Sequence, residues 1–189
     1  MAHREQVGRL MTAEELLALE KPDRGGKHEL ERGVLRVSEP PGYEHGRLSV
    51  VIATRLMSFV RPRKLGTVLV ESGYVLERGP DTVYGPDVSF VARDRAPVGE
   101  QRFKYVEGYV DLAVEVLSPD DHPGRVARKV ARYLDRGTRR VWVVDPRRRT
   151  VAVYAPGDAV RILREGETLD GGDVLPGFAY PLTELFGED

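Results

Sequence analysis

Asp111-Leu112-Ala113-Val114-Glu115-Val116-Leu117 reads as a short strand in which carboxylates stand among small and β-branched apolar residues. In an extended strand successive side chains point to opposite faces. Asp111, Ala113, Glu115 and Leu117 therefore share one side, and Leu112, Val114 and Val116 the other. Two environments suit that pattern. In one, this is a half-exposed edge strand with Glu115 facing water. In the other the strand is buried, and Glu115 must find a cation, reach solvent or shift its pKa, because a lone buried carboxylate is costly. The apolar character of Val114, Val116 and Leu117 favours the buried environment.

Working outward, Tyr84-Gly85-Pro86-Asp87-Val88-Ser89-Phe90-Val91 is a turn that opens a second strand, with Asp87 at its entry. Gly-Pro-Asp alone is an ordinary turn, and Asp87 gains chemical meaning only beside Glu115. Downstream, Pro123 and Gly137 frame a helix. At about 100° per residue its buried stripe is Val126, Val130, Tyr133 and Leu134, with Lys129 at the edge beside Tyr133. Lys129 is the only lysine after Lys104. It is either one more surface cation or a side chain that lays its stem over the sheet and delivers its ammonium near the strand ends. Val141-Trp142-Val143-Val144 then has the continuous apolar character of a strand covered on both faces.

The remaining segments complete an α/β pattern. Thr12-Ala13-Glu14-Glu15 forms a capping box for a short helix ending near Lys21-Pro22. Lys27 to Ser38 makes two strands around Arg32-Gly33. Glu44 to Arg61 carries an apolar stripe at helical spacing, and Pro62 is expected to stop it. Gly66 to Arg78 alternates as one strand, Asp81 to Val91 continues through a hairpin, and a polar loop runs from Arg93 to Glu107. A hairpin of Val151–Ala155 and Ala159–Leu163 precedes a tail with Leu175-Pro176-Gly177-Phe178 and a last turn around Leu182 and Leu185-Phe186. The expectation is one domain over 1–189, with loosely ordered ends at 1–10 and 187–189. Its architecture is a mixed sheet flanked by helices, with additional N-terminal and C-terminal hairpins.

Composition narrows the function classes. The 189 residues are 41% hydrophobic and contain no cysteine, which excludes a disulfide framework and a thiolate metal site. No window resembles a membrane span, and Met1-Ala2-His3-Arg4-Glu5-Gln6 lacks the apolar region of a secretory signal, so a cytoplasmic protein is expected. Charge is unevenly spread. Between Gly124 and Thr150 ten Lys and Arg face two acids, whereas Glu165 to Asp189 holds seven acids and no Lys or Arg. That basic stretch is either a solvated face or a phosphate-facing patch. No HExxH, P-loop or dinucleotide-binding glycine pattern is present.

Two carboxylates suit Mg²⁺, which takes oxygen ligands in an octahedron, keeps several waters and accepts further oxygens from a phosphate. A nearby lysine can stabilise developing negative charge or orient an attacking water. The compact ammonium of Lys129 suits that role better than the flanking guanidinium groups.

Taken together, Pro86-Asp87, Asp111 to Pro119, Lys129 with Tyr133 and Gly137, and Val141 to Pro146 resemble the Uma-type family of the PD-(D/E)XK restriction-endonuclease-like superfamily. Met11-Thr12-Ala13-Glu14-Glu15, His28-Glu29-Leu30-Glu31-Arg32-Gly33 and Leu175-Pro176-Gly177-Phe178 extend the resemblance over nearly the whole chain. It implies a restriction-endonuclease-like core and Mg²⁺-dependent hydrolysis of phosphodiesters, with Mn²⁺ as a possible substitute and DNA as the expected substrate. Asp87, Glu115 and the Val116 carbonyl are implied metal ligands, with Glu29 an accessory acid. Leu117 stands where the superfamily places its lysine, and the resemblance implies that Lys129 replaces it from the next helix. Asp111, His45 and Tyr133 are accessory candidates, and Arg125, Arg128 and Arg132 candidate phosphate contacts. A homodimer is expected for cutting two strands. The rival is a nucleic-acid-binding or regulatory protein that keeps the fold without turnover.

Overall fold

The structure is a computed structural model and describes residues 9–19 and 26–187. The expected end of the first helix near Lys21-Pro22, and most of the expected loose ends, lie outside the described residues. Helix α1 (Ala13–Leu17) begins with the capping box read from the sequence: Thr12 Oγ1 accepts from the Glu15 amide, and Glu15 returns a carboxylate oxygen to the Thr12 amide. Strands β1 (Lys27–Glu31) and β2 (Val34–Ser38) form the N-terminal hairpin.

Helix α2 (Tyr43–Arg63) runs past the expected end. Pro62 sits inside its last turn, and the stop is Lys64, a left-handed residue at φ 54° whose amide closes onto the Arg61 and Val60 carbonyls. A further difference concerns the single strand expected over Gly66 to Arg78. It is two strands, β3 (Gly66–Val70) and β4 (Tyr74–Glu77), in different sheets. The chain turns between them at Glu71, φ 52°, and at Gly73, where a Cβ would strike the ring of Tyr105. Apolar alternation continues across this break, so periodicity alone could not reveal the change of sheet.

The other strands are β5 (Thr82–Tyr84), β6 (Val88–Ala92), β7 (Val106–Glu107) and β8 (Leu112–Val116). The loop expected at Arg93 to Glu107 contains two short 3-10 turns and β7. Helix α3 (Pro123–Asp135) leads to β9 (Arg140–Asp145), β10 (Thr150–Tyr154), β11 (Arg161–Arg164), β12 (Thr168–Gly171), β13 (Leu175–Pro181) and helix α4 (Leu182–Leu185).

The main sheet has six strands in the order β11-β10-β9-β8-β6-β3. Its one parallel pair, β8 with β9, is joined through α3; the other pairs are antiparallel. On one face, Leu48, Ile52, Leu56 and Val60 of α2 meet Leu112, Val114 and Val116 of β8 and Trp142 and Val144 of β9. On the other, Val130 and Tyr133 of α3 cover Ala113, Val141 and Val143, together with Tyr74 and Tyr84 of the second sheet. The strand is thus buried on both sides, and Glu115 is not on an exposed edge. The second sheet, β2-β1-β5-β4-β7, packs Leu30, Val75 and Val83 under Ala13 and Leu16 of α1. Because β6 and β8 are antiparallel, the start of β6 and the end of β8 lie at one end of the main sheet.

Candidate active site

Four elements converge at that end. Asp87 enters β6, Glu115 closes β8, Lys129 and Tyr133 come from α3, and β1 runs across the opening. Period-two alternation in β1 aims Lys27 and Glu29 into the site while Leu30 goes to the core beneath α1. Ala113, small and fully buried, leaves space beside Glu115 on the α3 face.

Lys129 Nζ donates to Glu115 Oε2 at 2.9 Å and to Glu29 Oε1 at 2.8 Å. It also lies 5.4 Å from the centre of the Tyr84 ring. Tyr133 donates its hydroxyl to Glu115 Oε1 at 2.8 Å. Glu29 Oε1 takes a further bond from the Gly85 amide at 2.8 Å. Asp87 is held as fully: Lys27 Nζ reaches Oδ1 at 2.7 Å, while Oδ2 meets His45 Nε2 at 3.1 Å and the Val116 amide at 2.7 Å. Glu71 stands 3.9 Å from Lys27 Nζ.

These groups are buried enough for their charges to matter. Burial pushes the Glu115 carboxyl up, the anions of Asp87 and Glu29 add to it, and the two lysines only partly oppose this. Burial also raises Glu71. At Asp87 burial again acts upward, but bonding to His45 and the charge of Lys27 hold the group far below the usual carboxylate range. Lys129 loses hydration, yet Glu115, Glu29 and Asp87 raise it well above an ordinary lysine. His45 is raised as well: burial alone would lower it, and its bond to Asp87 prevails.

The cluster lines a cavity of about 690 Å³ whose walls include the Glu39-Pro40-Pro41-Gly42 turn and the Leu117–Val126 segment. Asp87, Glu115 and Glu29 at its floor, and Glu71 at its wall, face the ammonium groups of Lys27 and Lys129. Carboxylates outnumber the ammonium groups four to two there, and His45, its pKa raised by Asp87, adds a further cation when protonated. Hard oxygen donors with that surplus fit a divalent cation such as Mg²⁺. Among the described residues no group of three or more His, Asp or Glu side chains converges as a metal cage. A two-carboxylate site completed by a carbonyl, waters and substrate oxygens is the arrangement the donors allow.

The structure brings together Asp87, Glu115, Val116, Lys129, Glu29, His45 and Tyr133. It does not bring Asp111 to them. That residue sits at the opposite end of β8, about 13 Å away along a strand of ordinary rise, where its buried carboxylate accepts from the Ala92 amide at 2.8 Å and from Arg95 at 2.9 Å. Sharing a face did not mean sharing a site. Of the three arginines, Arg125 lines the cavity wall, paired with Asp121 at 3.1 Å. Arg132 is turned away to Glu77 at 2.6 Å, and Arg128 is exposed outside the cavity lining. Sequence reasoning missed Lys27: alternation puts it on one face of β1 with Glu29 and Glu31, but only the pairing of β1 with β5 turns that face to the site.

The Uma2 family, described as "Putative restriction endonuclease", matches residues 13–183. No curated protein matches the chain. Among solved structures the chain is similar to one described as a putative nuclease belonging to DUF820 from Anabaena variabilis ATCC 29413. The TM-score is 0.80 at 22% identity, covering 93% of this chain and 97% of that one. At that identity the likeness is one of fold, and the fold is restriction-endonuclease-like. With nearly all of its length matched, the chain belongs to the Uma2 family.

Proposed function

We propose that this protein is a divalent-metal-dependent endonuclease that hydrolyses phosphodiester bonds in DNA. The observation that carries the reading is the Lys129 ammonium, held between Glu115 and Glu29 beside Asp87 in one cavity. Asp87, Glu115 and the Val116 carbonyl would hold Mg²⁺, or Mn²⁺ in its place, which when bound would supply Lewis-acid activation for phosphodiester hydrolysis. Lys129 would orient the attacking water and stabilise the negative charge that develops on the phosphate. Glu29 fixes the ammonium, His45 fixes Asp87, and Tyr133 fixes Glu115. Arg125 meets a phosphate at the cavity wall, positioning the strand without reading its sequence. Pairing of two copies would place two such sites for the two strands of a duplex, and the reading assumes a cytoplasmic protein.

The direct test is cleavage of single-stranded and duplex DNA and of RNA in Mg²⁺ or Mn²⁺. Wild type should cut DNA, and Glu115→Ala and Lys129→Ala should each lose on the order of 10²-fold or more in rate. Binding without cleavage of any substrate, equal in wild type and both variants, would sink the proposal. That outcome fits a second reading, a nucleic-acid-binding or regulatory protein that retains the fold. Its support is Leu117 at the usual lysine position, together with carboxylate oxygens already engaged by the chain's own donors.

A further inference from the structure

We propose that Lys27 is the built-in counter-cation of the metal site: its ammonium stands on the Asp87 oxygen that a divalent ion takes, and it must step aside before the ion binds. The inference rests on the reading of Asp87 as a metal ligand. Lys27 Nζ lies 2.7 Å from Asp87 Oδ1, and the other oxygen is already committed to the His45 ring and the Val116 amide. Oδ1 is therefore the Asp87 position open to exchange, and one cation holds it at a time.

The two lysines differ in what would hold them once an ion arrives. Lys129 has a second anchor at bonding distance, Glu29 Oε1 at 2.8 Å, and can keep its place when Glu115 turns to a metal. Among the described residues Lys27 has no second carboxylate at that distance. Its other carboxylate is Glu71, 3.9 Å away and half exposed at the cavity wall. A small swing of a flexible four-carbon stem brings the ammonium from Asp87 to Glu71. Its strand position does not change, because β1 fixes the backbone against β2. Lys27 then remains in the cavity as a cation beside the incoming phosphate. It is a positioning residue with two resting places. In the metal-free protein it offsets part of the surplus negative charge; in the loaded protein it moves to the wall.

The experiment is a titration of the folded, full-length protein with Mn²⁺ alone, followed by the loss of the free-ion EPR signal. The set comprises wild type, Lys27→Met, Lys27→Gln, Arg125→Met and Asp87→Asn, with Glu71→Gln made singly and on Lys27→Met. Removing the competitor should tighten Mn²⁺ binding by about ten-fold or more, the scale of one charge-assisted hydrogen bond. Arg125→Met, which deletes a cavity-wall charge that does not touch Asp87, should stay within about two-fold by screening. Glu71→Gln should weaken binding in wild type and lose most of that effect on Lys27→Met, as coupled neighbours do.

A misfolded variant cannot bind the ion more tightly, so a gain is not produced by damage, and Lys27→Gln serves if the methionine variant does not fold. Unchanged or weaker binding in the folded Lys27 variant overturns the proposal. So does an equal gain in Arg125→Met, which would mean general charge alone. If wild-type binding is indifferent to Asp87→Asn, or absent, the metal reading itself fails and the Lys27 proposal falls with it.

Discussion

The Tyr133 hydroxyl donates to Glu115 Oε1, and its fully buried ring packs edge-on against Tyr84 at 5.6 Å. Tyr133→Phe keeps that packing and removes one bond to a buried carboxylate. Denaturant unfolding should show a loss of about 1–3 kcal/mol, and cleavage should fall because Glu115 is less firmly held. An unchanged midpoint and rate would mean that Glu115 is positioned without the tyrosine. Asp111 makes the opposite case. Asp111→Ala orphans a part-buried amide and a part-buried guanidinium, so stability should again drop, by about 1–3 kcal/mol. Mn²⁺ affinity should be unaffected, since the carboxylate lies at the far end of β8. A weakened metal site in a folded Asp111→Ala protein would contradict that placement.

Element packing explains which parts of the site could be read in advance. The faces of β8 follow from alternation alone, whereas helical spacing left Lys129 open between a surface cation and a site residue, and the family resemblance supplied its role. Lys27 and the Asp111 correction could not be read the same way, because both depend on how distant elements meet. β1 reaches the site only by pairing with β5, where Leu30 sits opposite Val83. Asp111 is excluded by which end of β8 faces the start of β6. Pro62 misled for a local reason: in a last turn, with Lys64 supplying the left-handed stop, it does not end the helix.

The join between α1 and the β4–β5 turn makes a separate prediction at this scale. Asp81 accepts from the Ala13 amide at 2.8 Å, from Arg78 at 2.8 Å and from the Gly79 amide at 3.2 Å. Burial pushes its carboxyl up, but these donors outweigh it and hold the pKa below the ordinary value of 3.8. The folded state then binds fewer protons than the unfolded one at low pH. The group's contribution is complete above that ordinary value and is lost as pH falls through the folded value. Urea unfolding of wild type and Asp81→Asn should therefore differ most near neutral pH and converge in acid. A gap that widens in acid would reverse the assignment.

At the scale of the whole molecule, the chain's formal charge of -1 conceals a cavity floor with surplus carboxylate. The basic stretch that suggested a phosphate surface is largely spent on ion pairs: Arg132 and Arg136 on Glu77, Arg139 on Asp173, Arg148 on Asp145 and Arg149 on Glu165. In the proposed nuclease, attraction for a nucleic acid would therefore depend on a bound ion more than on this stretch. A ligand that binds only the folded state raises its stability, by about 2.7 kcal/mol at a hundred times its dissociation constant. Mn²⁺ should raise the thermal midpoint of wild type and leave that of Asp87→Asn unmoved. Among the described residues no helix is long and apolar enough to cross a membrane.

The most direct test of the central claim is an anomalous difference map from crystals soaked in Mn²⁺. The expected result is a peak shared by Asp87 and Glu115, with Lys129 still on Glu29 and the Lys27 ammonium withdrawn from Asp87 towards Glu71. No peak at saturating Mn²⁺, with Lys27 still seated on Asp87, or a peak away from these carboxylates, would contradict it.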